Sequence, residues 1–200
     1  QLLLSDEAAG GVQIRGELRD EEITHYLLAV AERAELPVEV RARAVGAIEA
    51  DEQWEREALA KLAHRQDLDE AIRAAAVQAM GAFATSAELM ERIGDLAKAT
   101  SAQIRGAVLW ALQLGGRTDK DLPAIAKLVA PMLDDESPMV RRRSVYVVGN
   151  LNLAELAPQL VKRGAHTEPP DMRLAAYVAL GELGMPGVAG DVVATIKRED

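Results

Sequence analysis

Apolar and small residues recur at fixed distances behind five arginines of this chain. An aliphatic residue or methionine precedes each arginine, and small or apolar residues fill the third, fourth, sixth and seventh positions after it. These positions lie on one side of a helix with 3.6 residues per turn, so the pattern predicts five helices with one buried stripe each. The five arginines are Arg41, Arg73, Arg105, Arg141 and Arg173.

The spacing between the arginines predicts how the helices assemble. Successive intervals are 32, 32, 36 and 32 residues. A period of this size is typical of stacked two-helix units, in which each unit needs its neighbours to bury its apolar face. Candidate N-cap residues stand four positions before three of the arginines, at Asp69, Ser101 and Ser137, and Pro138 and Pro170 occupy first-turn positions.

A second set of apolar patterns predicts an outer helix between the arginine-led inner helices. The four extra residues between Arg105 and Arg141 amount to about one helical turn, and we expect them in a longer outer helix or in a loop after Gly115-Gly116. Residues 187–198 are predicted to be the outer helix of a sixth, incomplete unit. The other outer helices are placed at residues 20–35, 52–65, 87–99, 120–134 and 153–165.

The recurring Val/Ile-Arg signature resembles the HEAT repeat, and most closely the short HEAT-like repeats first described in phycobilisome lyases. The resemblance covers residues 20–200 and rests on no catalytic motif. It implies an all-α solenoid of five to six two-helix repeats, wound as a right-handed superhelix with the second helix of each pair on the concave side. It also implies that Pro131 and Pro158 bend the first helices that contain them.

Residues 1–19 do not fit the repeat, whereas residues 20–200 form the predicted repeat domain. Apolar residues alternate at Val12, Ile14 and Leu18, which leaves a short strand, a loop or the remnant of a preceding element as alternatives. The chain begins at Gln, and we expect it to be a module of a larger protein. No apolar run is long enough to span a bilayer.

Composition and charge narrow the choice of partners. The chain is 49% hydrophobic but only 3% aromatic, which suits a repeat protein whose core consists of local contacts. It contains no cysteine, which excludes disulfides and leaves the compartment undetermined. Residues 1–100 hold 20 acidic and 11 basic side chains, while residues 101–200 hold 12 of each. This acidic half disfavours a nucleic-acid partner, since such binding requires that phosphates be neutralised by Lys and Arg.

The sequence offers little catalytic chemistry. His25, His64 and His166 fall in unrelated repeats. Only His64 has a possible metal-binding partner three or four positions after it, Asp67, and this is a single weak pair. HEAT-like iron hydroxylases carry repeated His-Glu pairs, and this chain has no His-Glu dipeptide. Glycine-rich phosphate loops, GxSxG and HExxH are also absent. We therefore predict no catalytic residue, no metal site and no cofactor.

Most charged residues of the repeats are predicted to be structural. The repeated arginines lie at the edge of the buried stripe, so we expect them to pack their stems and to hydrogen-bond a neighbouring repeat. The acidic partner that accompanies the family's arginine occurs as Asp69 and Asp135 but is not obvious near Arg105. Two clusters of three acidic residues each are expected to lie at the surface. They are Glu52, Glu55 and Glu57, and Asp134, Asp135 and Glu136.

The outward positions of the inner helices carry the binding prediction. Positions −2, +1, +5 and +8 from the arginine point away from the buried stripe. The first two repeats place mostly Ala, Gly, Glu and Gln there, whereas the last three place large side chains. Trp, Tyr and Arg concentrate binding energy at interfaces, so these residues predict a partner surface, unless another segment, domain or protein copy covers them. They are Trp110, Met139, Arg142, Tyr146, Leu174 and Val178.

These observations predict a non-enzymatic scaffold or adaptor that binds a protein or peptide on its inner helices. Two alternatives come from the resemblance. A HEAT-like DNA glycosylase would hold DNA with basic and aromatic residues, for which Arg141-Arg142-Arg143, Lys162 and Arg163 are the only dense basic groups. A bilin lyase subunit is implied by the family name, although no residue specifically indicates bilin chemistry.

Overall fold

Ten α-helices form within residues 20–184, the part of the chain that the computed structural model describes. Short 3₁₀ segments at Gly94–Lys98, Ala130–Asp134 and Ala154–Leu156 extend or precede the outer helices of the later repeats. Within these residues no β-strand is present. The helices are α1 (Asp20–Glu32), α2 (Val38–Gly46), α3 (Gln53–His64), α4 (Glu70–Gly81), α5 (Ser86–Ile93), α6 (Ala102–Leu114), α7 (Leu122–Val129), α8 (Pro138–Asn150), α9 (Ala157–Arg163) and α10 (Pro170–Glu182).

The helices form five pairs that stack in chain order, and we number these pairs as repeats one to five. Each odd-numbered outer helix contacts the even-numbered inner helix that follows it. The inner helices α2, α4, α6, α8 and α10 also contact one another in sequence. The predicted all-α solenoid is therefore confirmed. The predicted segment 1–19 and the predicted helix at 187–198 lie outside the described residues.

The predicted stripe of the inner helices is the core of the stack. In α6, the side chains of Ile104, Leu109 and Leu112 are at most 1% exposed. Burial of one such aliphatic side chain contributes about 1.5–3 kcal/mol, and the equivalent positions of α4 and α8 are buried in the same way. Repeat one is looser, because α2 ends at Gly46 and leaves the predicted stripe residue Ala47 exposed.

Consecutive inner helices approach so closely that part of the predicted outward surface is covered. A Cβ atom built on Gly81 would lie 2.6 Å from Cα of Ala111, and one on Gly149 would lie 2.9 Å from Cα of Ala179. The expectation that position +8 faces outward is therefore wrong at both glycines. Position +1 is likewise buried in repeats two and three, where small residues allow the next helix to pack over them: Ala74 and Gly106.

Helix boundaries follow local sequence signals in the main. The hydroxyl of Ser101 accepts a hydrogen bond from the Ile104 amide at 3.4 Å, as an N-cap residue does. Asp69 and Ser137 occupy N-cap positions without a capping side-chain bond. Pro131 lies where α7 gives way to a 3₁₀ turn, since proline cannot donate to the α-helical ladder, and the bend expected there stays a prediction. Pro158 stands in the first turn of α9, where a proline does not interrupt the helix.

The loop between α4 and α5 spans residues 82–85, and α4 ends eight residues after Arg73, whereas α6 ends nine residues after Arg105. Three of the four inserted residues therefore lie in the loop between α6 and α7, residues 115–121, and the fourth lengthens α6. This loop is tied to the preceding repeat by two backbone hydrogen bonds. The Ser86 amide donates to the Gly116 carbonyl at 2.7 Å, and the Gly116 amide donates to the Ala84 carbonyl at 3.1 Å. The loop is therefore fixed to the start of repeat three.

Candidate partner-binding surface

Four of the repeated arginines, Arg41, Arg73, Arg105 and Arg141, are held by contacts within the fold, which removes them from the candidate binding groups. Arg105 is 6% exposed, and its Nε and Nη2 atoms each donate to the Asp135 carboxylate at 2.7 Å. Its Nη1 atom donates to the carbonyls of Ala99 and Thr100 at 2.7 and 2.8 Å. The guanidinium thus joins the end of its own outer helix to the following repeat, as a structural arginine should.

The acidic partner of Arg105, which was not obvious from the sequence, is present in the structure. Arg105 does have an acidic partner, Asp135, but this residue stands six positions before the next repeat arginine rather than four. Burial opposes ionisation of Asp135, yet hydrogen bonds from Arg105 and the Ser137 amide hold the pKa of Asp135 below its ordinary value. Arg41 pairs with Asp69 at 3.5 Å.

Other repeat arginines share the carbonyl contacts. Nε of Arg41 donates to the Ala31 carbonyl at 2.8 Å, and Nε of Arg73 donates to the Ala63 carbonyl at 2.9 Å. These carbonyls lie near the C-terminal ends of α1 and α3, where the helical hydrogen-bond ladder leaves acceptors unused. Each of these arginines therefore joins the inner helix that carries it to the outer helix of the same repeat.

Two of the carboxylates expected at the surface are buried instead. Glu55 is 4% exposed and accepts hydrogen bonds from the Thr24 hydroxyl at 2.8 Å and the Glu52 amide at 3.0 Å. The Asp135 side chain is 9% exposed because Arg105 covers it. The expectation of surface charge is wrong for Glu55 and Asp135, since each satisfies structural donors that sequence spacing does not reveal.

The histidines within residues 20–184 also have structural surroundings. His25 stacks on the Trp54 ring with centroids 4.8 Å apart. Nδ1 of His64 lies 2.8 Å from the Ala60 carbonyl, and its Nε2 lies 3.1 Å from Oδ1 of Asp95. In this described part of the chain, no group of three or more His, Cys, Asp or Glu residues could hold a metal ion. Over the same residues, no helix is both long and apolar enough to cross a membrane.

The six residues of the binding prediction lie on the exposed side of α6, α8 and α10. We call this set the aromatic face: Trp110, Met139, Arg142, Tyr146, Leu174 and Val178. At position +5, Trp110, Tyr146 and Val178 are 40%, 42% and 46% exposed. Because α8 packs between α6 and α10, these equivalent positions form a row across three helices. Met139 and Leu174 beside the row are 43% and 64% exposed.

Two side-chain contacts cross between the helices that carry the aromatic face. Met139 of α8 covers the glycine of α6, because a Cβ atom on Gly106 would lie only 3.0 Å from the Met139 sulfur. Nη1 of Arg142 donates to Asp171 at 3.4 Å, and both of these side chains are more than half exposed. The three helices that carry the face are thus in contact from repeat three to repeat five.

Arg143 joins this surface although the binding prediction included it only in the basic run Arg141-Arg142-Arg143 and not among the six residues. Its guanidinium carbon lies 5.0 Å from the centroid of the Trp110 ring, a cation–π arrangement. Its Nη1 atom donates to the Gly106 carbonyl at 3.4 Å. The available signal was position +2, where repeats two, three and five carry alanine: Ala75, Ala107 and Ala175.

Leu114 was missed as well. It is 47% exposed and follows Trp110 by four residues on α6, so it extends the apolar row by one helical turn. Repeats one and two have nothing comparable at position +5, where Gly46 and Gln78 stand.

A cavity of about 470 Å³ lies at the other end of the described stack, between α1 and the start of α3. Thr24, Leu27 and Trp54 contribute to its walls, but most of its lining carries carboxylates. The acidic residues are Asp20, Glu21, Glu49, Asp51, Glu52 and Glu55. This end of the molecule therefore differs chemically from the aromatic face.

Comparisons with known proteins identify the fold. No protein-family model matches the chain, and no curated protein matches it. The chain is similar to the solved structure of a designed armadillo repeat protein in complex with the peptide (KR)4, at a TM-score of 0.55 and 18% identity over 82% of this chain and 86% of that one. It also aligns with human deoxyhypusine hydroxylase in complex with glycerol, at a TM-score of 0.34 and 15% identity over 92% of this chain and 91% of that one. The first likeness shows a helical repeat fold.

Proposed function

We propose that this protein is a non-enzymatic scaffold that binds a protein or peptide segment across the inner helices of repeats three to five. The observation that carries the proposal is the aromatic face, with its row of exposed Trp110, Tyr146 and Val178. Exposed large apolar side chains that adjoin one another mark interaction sites, and Trp and Tyr dominate binding energy at interfaces.

The fold supports this class of function. Solenoids of stacked helix pairs bind partners on the extended surface formed by successive repeats. The designed armadillo repeat protein that shares this fold was solved with a bound peptide. Within the helical repeat proteins, we assign the chain to the HEAT-like type, on the strength of the Val/Ile-Arg signature and the structural arginines that follow from it.

The distribution of basic side chains favours a protein partner over DNA. Arg141 donates to the carbonyls of Asp135 and Glu136, at 2.7 and 3.0 Å. Arg163 pairs with Asp134 and Glu168. These arginines are occupied by contacts within the fold, and strong binding to a nucleic-acid backbone needs several cations that are available to phosphates.

A display experiment tests the proposal directly. The full 200-residue chain is panned against a random twelve-residue peptide library on phage, and enriched peptides are then titrated by fluorescence anisotropy. Removal of Trp110 and Tyr146 together by alanine substitution should weaken binding at least about tenfold, which corresponds to about 1.4 kcal/mol. The matched control is Gln78→Ala, which changes the same position in repeat two and should leave the affinity unaltered.

Circular dichroism should show that the double variant keeps the helical content of the wild type, because both side chains are exposed. Peptides that bind the double variant as tightly as the wild type would contradict the proposal. Failure to enrich any peptide, together with salt-sensitive binding of duplex DNA at low ionic strength, would favour the nucleic-acid alternative instead.

A further inference from the structure

Arg143 has no counter-charge within residues 20–184. Its contacts there are the Trp110 ring at 5.0 Å and the Gly106 carbonyl at 3.4 Å, and no carboxylate forms an ion pair with it. The neighbouring cation Arg142 is different, because it pairs with Asp171 at 3.4 Å. One guanidinium beside Trp110, at the α6 side of the aromatic face, therefore lies partly buried without a carboxylate partner in this part of the chain.

The surroundings of Arg143 disfavour its charge. Burial, and then the positive charge of Arg142, lower the pKa of Arg143 below its ordinary value. A guanidinium carries five N–H donors in a rigid plane, and within the described chain the Gly106 carbonyl is the one acceptor in reach. An incoming carboxylate would accept hydrogen bonds from two of the remaining N–H groups and would compensate both unfavourable effects.

We propose that Arg143, held on the Trp110 ring beside Arg142, anchors a single Asp or Glu carboxylate of the bound segment, next to an apolar side chain that contacts Trp110 and Tyr146. This inference rests on the proposed function, since it names the chemistry of the segment that the aromatic face binds. The ligand class is an acidic-apolar protein segment.

The local charges favour a carboxylate over a phosphate. Arg143 supplies one uncompensated positive charge, which matches the single charge of a carboxylate. A phosphate carries about −1.5 to −2 charges, so its excess would meet the Asp171 carboxylate that already pairs with Arg142. The surface beside the anchor is apolar at Met139, Tyr146 and Leu174, which suits a hydrophobic neighbour in the ligand.

Two phage libraries test the inference on the full chain: a complete random twelve-residue library and one without Asp and Glu codons. The complete library should yield peptides that carry an acidic residue next to an apolar one. Binders from the acid-free library should be at least about tenfold weaker, because the charged hydrogen bonds to the guanidinium are lost.

A double-mutant cycle then assigns the contact to Arg143. Arg143→Gln should weaken the best acidic peptide about tenfold, and Glu→Gln or Asp→Asn in that peptide should weaken binding to the wild type equally. Combining both changes should cost little more than either change alone. Arg43→Gln, at the same position of repeat one, is the matched control and should bind as the wild type does.

The outcomes separate this inference from the proposed function. If binding is lost in the Trp110/Tyr146 double variant but is insensitive to Arg143→Gln and to acidic residues in the peptide, the inference fails while the scaffold proposal stands. If binding survives the double variant, both fail. A phosphoserine peptide that binds more than about tenfold better than its Glu counterpart would overturn the carboxylate assignment.

Discussion

Repeats one and two differ from repeats three to five in what they expose, although the same inner-helix contacts build both regions. Position +5 carries Gly46 and Gln78 in the first region, and Trp110, Tyr146 and Val178 in the second. The first region also carries the acidic cavity beside α1, and residues 1–100 hold all of the excess negative charge. The comparison shows that buried positions determine the stack, whereas exposed positions of the same helices vary independently.

Two arginines illustrate the difference within one region. Arg105 is saturated by Asp135 and by backbone carbonyls, so its charge stabilises the fold. Arg143 meets an aromatic ring and a carbonyl instead, so its charge has no carboxylate partner among residues 20–184, and we propose that a bound segment supplies one. Residue type alone does not distinguish these roles. The distinction depends on whether a carboxylate of the next repeat reaches the guanidinium.

The largest expected effect tests whether the arginine contacts hold the stack. Arg105→Ala leaves the buried Asp135 carboxylate without its partner, and breaking a buried ion pair in this way costs about 3–5 kcal/mol. For a chain of 200 residues this should lower the melting temperature by roughly 10 °C. Thermal unfolding followed by circular dichroism measures the change.

The exposed Arg43 of repeat one provides the control for that experiment. Arg43→Ala should shift the free energy of unfolding by no more than about 0.5 kcal/mol, as surface substitutions do. A melting temperature of Arg105→Ala equal to that of the control would contradict the structural role of the repeat arginines.

The next largest effect tests how closely the inner helices of repeats two and three pack, at the boundary between the two regions. Gly81 of repeat two touches Ala111 of repeat three, and an added methyl group would meet backbone at 2.6 Å. Gly81→Ala should therefore destabilise the protein by about 1–3 kcal/mol through overpacking. Gly46→Ala has open space around it and should be neutral or stabilise by about 0.5–1 kcal/mol. Urea denaturation measures both variants, and equal midpoints would rule out tight packing at Gly81.

Periodicity predicted the core of this molecule because a helix that packs on two neighbours repeats its small and apolar positions. Stripe residues such as Ile104 and Leu112 are buried as expected, and the loop that begins at Gly115 holds most of the insertion. Contacts between repeats were harder to predict. Position +8 was expected at the surface, but Gly81 and Gly149 lie under the next helix. The pattern of one helix shows which side is buried, but it contains no information about how closely the next helix approaches it.

The same limit applies to the candidate surface. Trp110 and Tyr146 could be selected from their shared offset, and the structure places both at the surface, while their binding role stays a prediction. Arg143 was visible in the basic run and at position +2, but its contact with Trp110 was not, since that ring lies in the preceding repeat. Asp135 was misjudged for a related reason: its partner Arg105 stands 30 residues earlier in the chain.

A smaller effect tests whether the aromatic face contributes to folding. Replacement of Trp110 by alanine removes one exposed ring and its contact with Arg143, so the free energy of unfolding should fall by no more than about 1 kcal/mol. Tyr146→Ala should have an effect of the same size or less. Urea denaturation measures both. A loss well above 2 kcal/mol would mean that these rings support the stack, and the contrast between the two regions would then be one of stability rather than of binding.

The smallest effect concerns His64, which joins the outer helices of repeats two and three and so spans the boundary between the regions. Burial opposes its protonation, but the Ala60 carbonyl and Asp95 accept from the two ring nitrogens and raise the pKa of His64 above 6.5. Its contribution to stability is therefore complete below pH 6.5 and is lost as the pH rises through the raised pKa. Because the pair is partly exposed and screened by solvent, the loss should be below about 0.5 kcal/mol. Melting temperatures at acidic and alkaline pH should differ less in His64→Gln than in the wild type, and Asp95→Asn should have the same effect, since both remove one interaction. If the two substitutions acted additively, the effect would not arise from the contact between His64 and Asp95.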